Sequence, residues 1–296
     1  SMRLGYPCSN RSVGCTPART FRLASFSEDR LTRIVAENLR CLRRTLDWNV
    51  AHEVRFFRIS STTVPFASHP VMTVRWQERF APELARLGAV IRAARMRINV
   101  HPGQYTLINS PRPEVVAASV AELVYHAELL DLLALDQTHK IQIHTGGVYG
   151  DRPAAKDRFV AAGEALPDGV RRRLVIENDE RQFSLADNLE IHRRTGIPLL
   201  LDTFHHSIFN RGETLGEALA LAMPTWEGHG PPMIDDSSQH ESRQRGAHTA
   251  TIDLDDFAEL VDLLPSANVD IMLEIKDKEQ SVLRAQAFLA ARFAPL

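Results

Sequence analysis

The chain has 296 residues, 44% hydrophobic and 24% charged, with 35 Lys+Arg against 37 Asp+Glu and a formal net charge of −2. That balance suits one large or two small globular domains and excludes a disordered polyelectrolyte or an unspecific polycation. No apolar run approaches the ~18 residues of a membrane span and no signal-type segment opens the chain, so a cytoplasmic protein with no membrane partner is expected. Three cysteines (Cys8, Cys15, Cys41) are an odd number without metal-type spacing. A disulfide framework is not expected from them, in keeping with a reducing cytosol. Of the 35 basic residues 31 are arginine, a bias for which a GC-rich genome is the simpler account than phosphate recognition.

In chain order, Met2–Tyr6 is a strand candidate ending in a Gly-Tyr-Pro turn. Glu28–Leu46 reads as a helix, with Leu31, Ile34, Val35, Asn38, Leu39 and Leu42 on one stripe and Ser25 or Ser27 as cap. A strand at Val54–Ser60 is followed by a loop carrying Ser68-His69-Pro70, and a helix over about Thr73–Ala94 leads to a strand at Arg97–His101. The chain must leave the sheet at Pro102-Gly103, which puts Gln104 and Tyr105 at a loop tip. Further helix and strand candidates alternate: helix Glu114–Leu135, strand Lys140–His144, helix Ala154–Leu166, strand Arg173–Glu177, helix Ser184–Thr195, strand Ile197–Asp202, helix Thr214–Ala222, strand Met233–Asp235, helix Asp253–Leu264, strand Val269–Glu274 and helix Gln280–Arg292.

Short, continuously apolar strands are those of a parallel sheet buried on both faces. Eight strand-helix units in unbroken alternation predict a single-domain (β/α)8 TIM barrel over 1–296. An open doubly wound sheet would carry a phosphate-binding glycine pattern after its first strand, and Gly5-Tyr6-Pro7 is not one. In a barrel the active site lies at the C-terminal rim of the strands. There the sequence sets His101, His144, Glu177, Asp202 and Glu274, with His69, His205 and His248 in the rim loops. Histidine and carboxylate without cysteine select Zn, Mn or Fe over a structural zinc site. The number of donors fits two or three ions, with Glu177 bridging. Ions ~3.5–4 Å apart suit in-line displacement at phosphate, one generating hydroxide and another stabilising the leaving oxygen. The other histidines read as surface or helix residues, His206 being ambiguous beside His205.

These motifs together resemble the UV-damage endonucleases. The likeness runs through Leu4-Gly5-Tyr6 with Asn10, Arg58-Ile59-Ser60-Ser61, Ser68-His69, His101-Pro102-Gly103-Gln104-Tyr105, and Tyr125-His126. It continues through Ile143-His144-Thr145-Gly146-Gly147 with Tyr149-Gly150-Asp151, Ile176-Glu177-Asn178-Asp179, Asp202-Thr203-Phe204-His205-His206 and Ile271-Met272-Leu273-Glu274. The resemblance implies a barrel related to endonuclease IV with a Mn2+-dependent three-metal site, the same donors also suiting Zn2+, Mg2+ or Co2+. It implies nicking of duplex DNA 5′ to pyrimidine dimers and 6-4 photoproducts, without ATP, with abasic sites as secondary substrates; a monomer is expected because duplex DNA must reach an open rim. By the same resemblance His101, His144, Glu177, Asp202, His205, His248 and Glu274 are metal ligands, and His69 joins Glu177 and Glu274 in catalysis. Gln104 and Tyr105 are the pair wedged into the duplex, and Tyr6 and Asn10 line the pocket for the extruded bases. A damaged step stacks poorly, so extruding it costs less than extruding sound DNA.

One segment departs from the family. Where its seventh strand has Lys-x-His, this chain has Met233-Ile234-Asp235. Asp235 is expected to take the histidine's place as a ligand, with Asp236 as the neighbouring candidate. Two other readings share the rim. One is a sugar isomerase or epimerase on a metal-binding barrel, which has no use for an aromatic wedge. The other is a lesion-binding protein that no longer cuts, motivated by the Met233/Asp235 change.

Overall fold

The computed structural model describes residues 1–237 and 250–295. Eight parallel strands close in sequence order: β1 (Arg3–Pro7), β2 (Phe56–Ile59), β3 (Arg97–Val100), β4 (Lys140–His144), β5 (Leu174–Glu177), β6 (Leu199–Asp202), β7 (Met233–Asp236) and β8 (Asp270–Leu273), with β1 also paired to β8. The expected TIM barrel is therefore the fold.

The outer ring comprises α1 (Glu28–Ala51), α2 (Trp76–Arg79), α3 (Ala81–Ala93), α4 (Pro113–Leu132), α5 (Arg152–Ala165), α6 (Asp168–Arg171), α7 (Leu185–Thr195), α8 (Thr203–Ile208), α9 (Leu215–Ala222), α10 (Leu254–Leu263) and α11 (Glu279–Arg292). All six residues of the stripe expected on α1 are buried, and Ser27 caps the helix by accepting from Arg30 N–H. The single helix expected over Thr73–Ala94 is two. It breaks at Phe80, because Pro82 lacks the N–H that would continue the ladder and its ring opposes the preceding turn. A short helix not foreseen in the sequence, α8, starts directly on Asp202, whose carboxylate accepts from His205 N–H.

Inside the barrel, Phe56, Val175, Leu200, Trp226, Met233 and Met272 form a separate apolar cluster, distinct from the large core between strands and helices. The expectation for the cysteines is corrected. Cys15 and Cys41 form a disulfide, their Cα atoms 6.0 Å apart, and Cys8 remains free. The reason is tertiary: the segment after β1 folds back along α1, an approach that the 26-residue separation in sequence does not reveal. No helix among the described residues is long and apolar enough to cross a membrane.

Candidate metal centre and DNA-contacting rim

Strand register assembles the centre. β4 pairs with β5 so that His144 stands opposite Glu177, and β6 pairs with β7 so that Asp202 stands opposite Asp235. Three donor groups result, each with ligand atoms within 4.8 Å of one another: His101/His144/Glu177, Glu177/Asp202/His205 and Asp202/Asp235/Glu274. Glu177 belongs to the first two. His101 Nε2 lies 3.1 Å from its Oε1, and His205 Nδ1 lies 3.2 Å from its Oε2.

The electrostatics follow from burial and crowding. Burial would raise the Glu177 carboxyl, but His144, His101 and His205 hold it well below the usual carboxylate range. Asp202 is pushed well above it by burial and by the charges of Glu177, Glu274 and Asp235. For His205 burial works toward neutrality, yet its bond to Glu177 and the charges of Asp202 and Glu177 push it up to about 11. A metal ion binding there replaces a proton, so binding releases one. The Nδ1 atoms of His101 and His144 are buried without a hydrogen-bond partner. It is the Nε2 atoms of the same two rings that face Glu177 Oε1, at 3.1 and 3.6 Å, and this set of imidazole and carboxylate donors fits a divalent ion of the Mn/Zn type.

Of the other expected site residues, Asp235 is brought into the centre, while His248 lies outside the described residues. His69 is exposed, with its Nδ1 accepting from Val71 N–H at 2.9 Å, and it is in none of the three donor groups. Gln104 and Tyr105 stand at the rim as expected, and Tyr105 is 82% exposed. Their loop is braced from beneath: Thr106 N–H bonds Gly103 O, Leu107 N–H bonds the Ser119 hydroxyl, and Asn109 Nδ2 donates to Gly147 O. Gly146 makes that bracing compatible with sterics, since at its φ of +119° any Cβ would collide with the Asn109 amide. A cleft of about 360 Å³ runs between this tip, His144 and the segment 179–182 after β5. Tyr6 and Asn10 are not on that open rim. Tyr6 is fully buried against Trp48 and Phe57, donates its hydroxyl proton to Asn49 Oδ1 and accepts from Asn10 Nδ2.

Sequence reading assigned no role to a polar layer just below the donors. Arg58 Nη1 donates to Glu274 Oε1 at 2.6 Å, and its Nη2 donates to Gln142 Oε1 at 3.0 Å and to Asp235 Oδ1 at 3.1 Å. Gln142 Nε2 donates to Glu177 Oε1 and to Asp235 Oδ2. Burial disfavours charge on Arg58, but Asp235 and Glu274 outweigh it and keep the guanidinium charged. The available signal was a polar residue at an inward position of an otherwise apolar strand, as in Ile141-Gln142-Ile143. His206, ambiguous in the sequence, is buried with Nε2 against Glu213 O, outside the donor groups.

The model of the family described as UV-endonuclease UvdE matches residues 2–292. The chain belongs to this family. It is an endonuclease of DNA repair, with DNA as its substrate. The UV DNA damage endonuclease of Clostridium perfringens (strain 13 / Type A) is 36% identical to it over 286 residues, covering 96% of this chain and 69% of that protein. The crystal structure of SacUVDE superposes with a TM-score of 0.94 at 44% identity, covering 99% of both chains. Endonuclease IV from Thermus thermophilus shares the fold, with a TM-score of 0.58 at 19% identity over 85% of this chain and 94% of that one.

Proposed function

We propose that this endonuclease nicks duplex DNA immediately 5′ to UV photoproducts, cyclobutane pyrimidine dimers and 6-4 photoproducts first and abasic sites second. It works as a monomeric single domain in the cytoplasm, on the nucleoid. The observation that carries the reading is the braced, exposed Gln104-Tyr105 tip, which follows the candidate ligand His101 by three and four residues. A solvated tyrosine on a rigid loop is a poor surface residue and a good wedge: inserted into a weakly stacked step, it replaces the stacking that the extruded bases lose.

His101, His144, Glu177, Asp202 and His205 would hold divalent ions, Mn2+ first, with His248 completing the set, Glu274 and Asp235 as the neighbouring anions and His69 close to the reaction. A divalent ion held there would supply Lewis acidity to a water and to the phosphodiester oxygens. The protein's own part is positional. Glu177 accepts from His101, His205 and Gln142 and is thereby fixed as a shared anion between two donor groups. Asp202, tied to His205 N–H, keeps the first turn of α8 at the rim. Cleavage of this kind needs water as its co-substrate and no nucleoside triphosphate.

The test is incision of a labelled duplex carrying one cyclobutane dimer, in Mn2+ and in EDTA, beside an undamaged control. A Mn2+-dependent nick at the phosphodiester 5′ to the dimer supports the reading. Cutting that ignores the lesion, or tight lesion binding with no nick, overturns it, the latter in favour of a binding protein disabled by the Met233/Asp235 change.

A further inference from the structure

Three donor groups line the rim, but one already contains a cation. The guanidinium of Arg58 reaches Glu274 Oε1 and both oxygens of Asp235, at 3.1 and 3.3 Å. Its side chain is 6% exposed and that of Asp235 1%. This is not a surface pair that solvent would loosen.

The surrounding amides leave this arrangement little freedom. Gln142 Oε1 accepts from Arg58 Nη2 and from Asn99 Nδ2, while its Nε2 donates to Asp235 and Glu177. Turning that amide over would set NH2 against the guanidinium and the carbonyl against two carboxylates, so its orientation is dictated by its neighbours. Asn99 Oδ1 in turn faces Arg58 Nε at 3.4 Å. Strands β2, β3, β4 and β7 each contribute one member of this layer. Under it Met233 belongs to the apolar cluster with Phe56, Val175, Leu200 and Met272. A methionine there leaves Arg58 as the cation nearest Asp235 from below. An ion joining Asp235 would set a divalent charge against the guanidinium from which both its oxygens already accept, a like-charge contact in a buried pocket.

We propose that Arg58 is a built-in cation that takes the place of an ion at Asp202/Asp235/Glu274. The endonuclease then carries two metal ions, at His101/His144/Glu177 and Glu177/Asp202/His205, and Asp235 is a counter-ion of arginine, not a metal ligand. The charges agree. Glu177, Asp202, Asp235 and Glu274 supply four negative charges; two divalent ions with Arg58 supply five positive ones, a balance that one hydroxide or one bridging phosphodiester completes. Three ions with Arg58 would leave a surplus of three positive charges in a buried pocket. The proposal rests on the metal-centre reading above and fixes its stoichiometry.

The experiment counts Mn2+ per chain by elemental analysis after loading and gel filtration, for wild type and Asp235→Asn, with thermal melts to show that both are folded. Two equivalents in the wild type, retained in Asp235→Asn, are expected. Arg58→Met, where it folds, gains a third. A third equivalent in the wild type, or loss of an ion on Asp235→Asn, overturns the proposal and leaves the metal centre standing. No bound ion in the wild type overturns both.

Discussion

The two poles of the barrel are both polar and buried, and they differ in how their charges are balanced. At the N-terminal pole, Arg3 grips Asp270 with two bonds of 2.7 Å, and Arg97 adds a third at 2.9 Å while donating to Thr138 O and His229 O. Arg173 donates to Asp131 and to the carbonyls of Leu135, Asp136 and His139, and Lys140 donates to Arg172 O and His229 Nδ1. Each of these cations ends on a protein acceptor. At the C-terminal pole four carboxylates and one arginine gather, and among the described residues Nδ1 of His101, His144 and His206 has no partner. A pole whose cations are matched holds strands in register; an open one, rich in anions, suits a cationic ligand.

The sharpest way to break this contrast is Glu177→Gln, an isostere that removes the anion shared by two donor groups. Mn2+ content should fall, and cleavage of dimer-containing duplex should drop at least on the order of 10³-fold, the scale of losing one preorganised electrostatic contact. A variant that keeps its metal and its rate would remove the open pole's central anion from the argument. The mirror experiment is Arg97→Met. It leaves Asp270 with Arg3 alone and should cost about 3–5 kcal/mol of stability in denaturant titration. Metal content per folded molecule should not change; a parallel loss of metal would mean that the poles are not separable.

A smaller effect is expected at the rim. Tyr105→Ala should leave metal and melting temperature unchanged and weaken lesion incision by about 1–3 kcal/mol, the worth of one stacked aromatic. An equal loss on undamaged single strands would speak against a wedge. The smallest signature belongs to pH. Burial, with Arg97 and Arg173 nearby, pushes the Lys140 ammonium down to about 7 from an unfolded value near 10.5. Below about pH 7 both states carry the proton and the cost of burying it is complete. Between there and the unfolded value only the unfolded chain holds it, so this residue's contribution raises stability with pH. Relative to wild type, Lys140→Met should show a shallower rise in the free energy of unfolding across pH 7–10. Identical slopes would mean that Lys140 stays protonated in the fold.

Much of the molecule was legible because periodicity is local. Continuous apolar runs marked the strands, and a His or acid at the end of several of them marked the rim. Departures arose where one residue outweighed a pattern, as Pro82 did in dividing a helix, or where a cap created an element, as Asp202 did for α8. The Cys15–Cys41 bridge was hidden because its partners meet only after the post-β1 segment folds onto α1.

By itself the sequence determined the barrel, the pole at which histidines and acids gather, and the residue types available there, since alternation and donor chemistry are properties of the chain read along its length. Only the tertiary structure decided which donors share an oxygen and which are already spoken for. Arg58, Asn99, Gln142 and Asp235 come from four strands far apart in sequence, and closure of the staggered sheet into a barrel brings them within hydrogen-bond distance. Whether a buried carboxylate binds a metal or an arginine depends on what stands across the barrel from it.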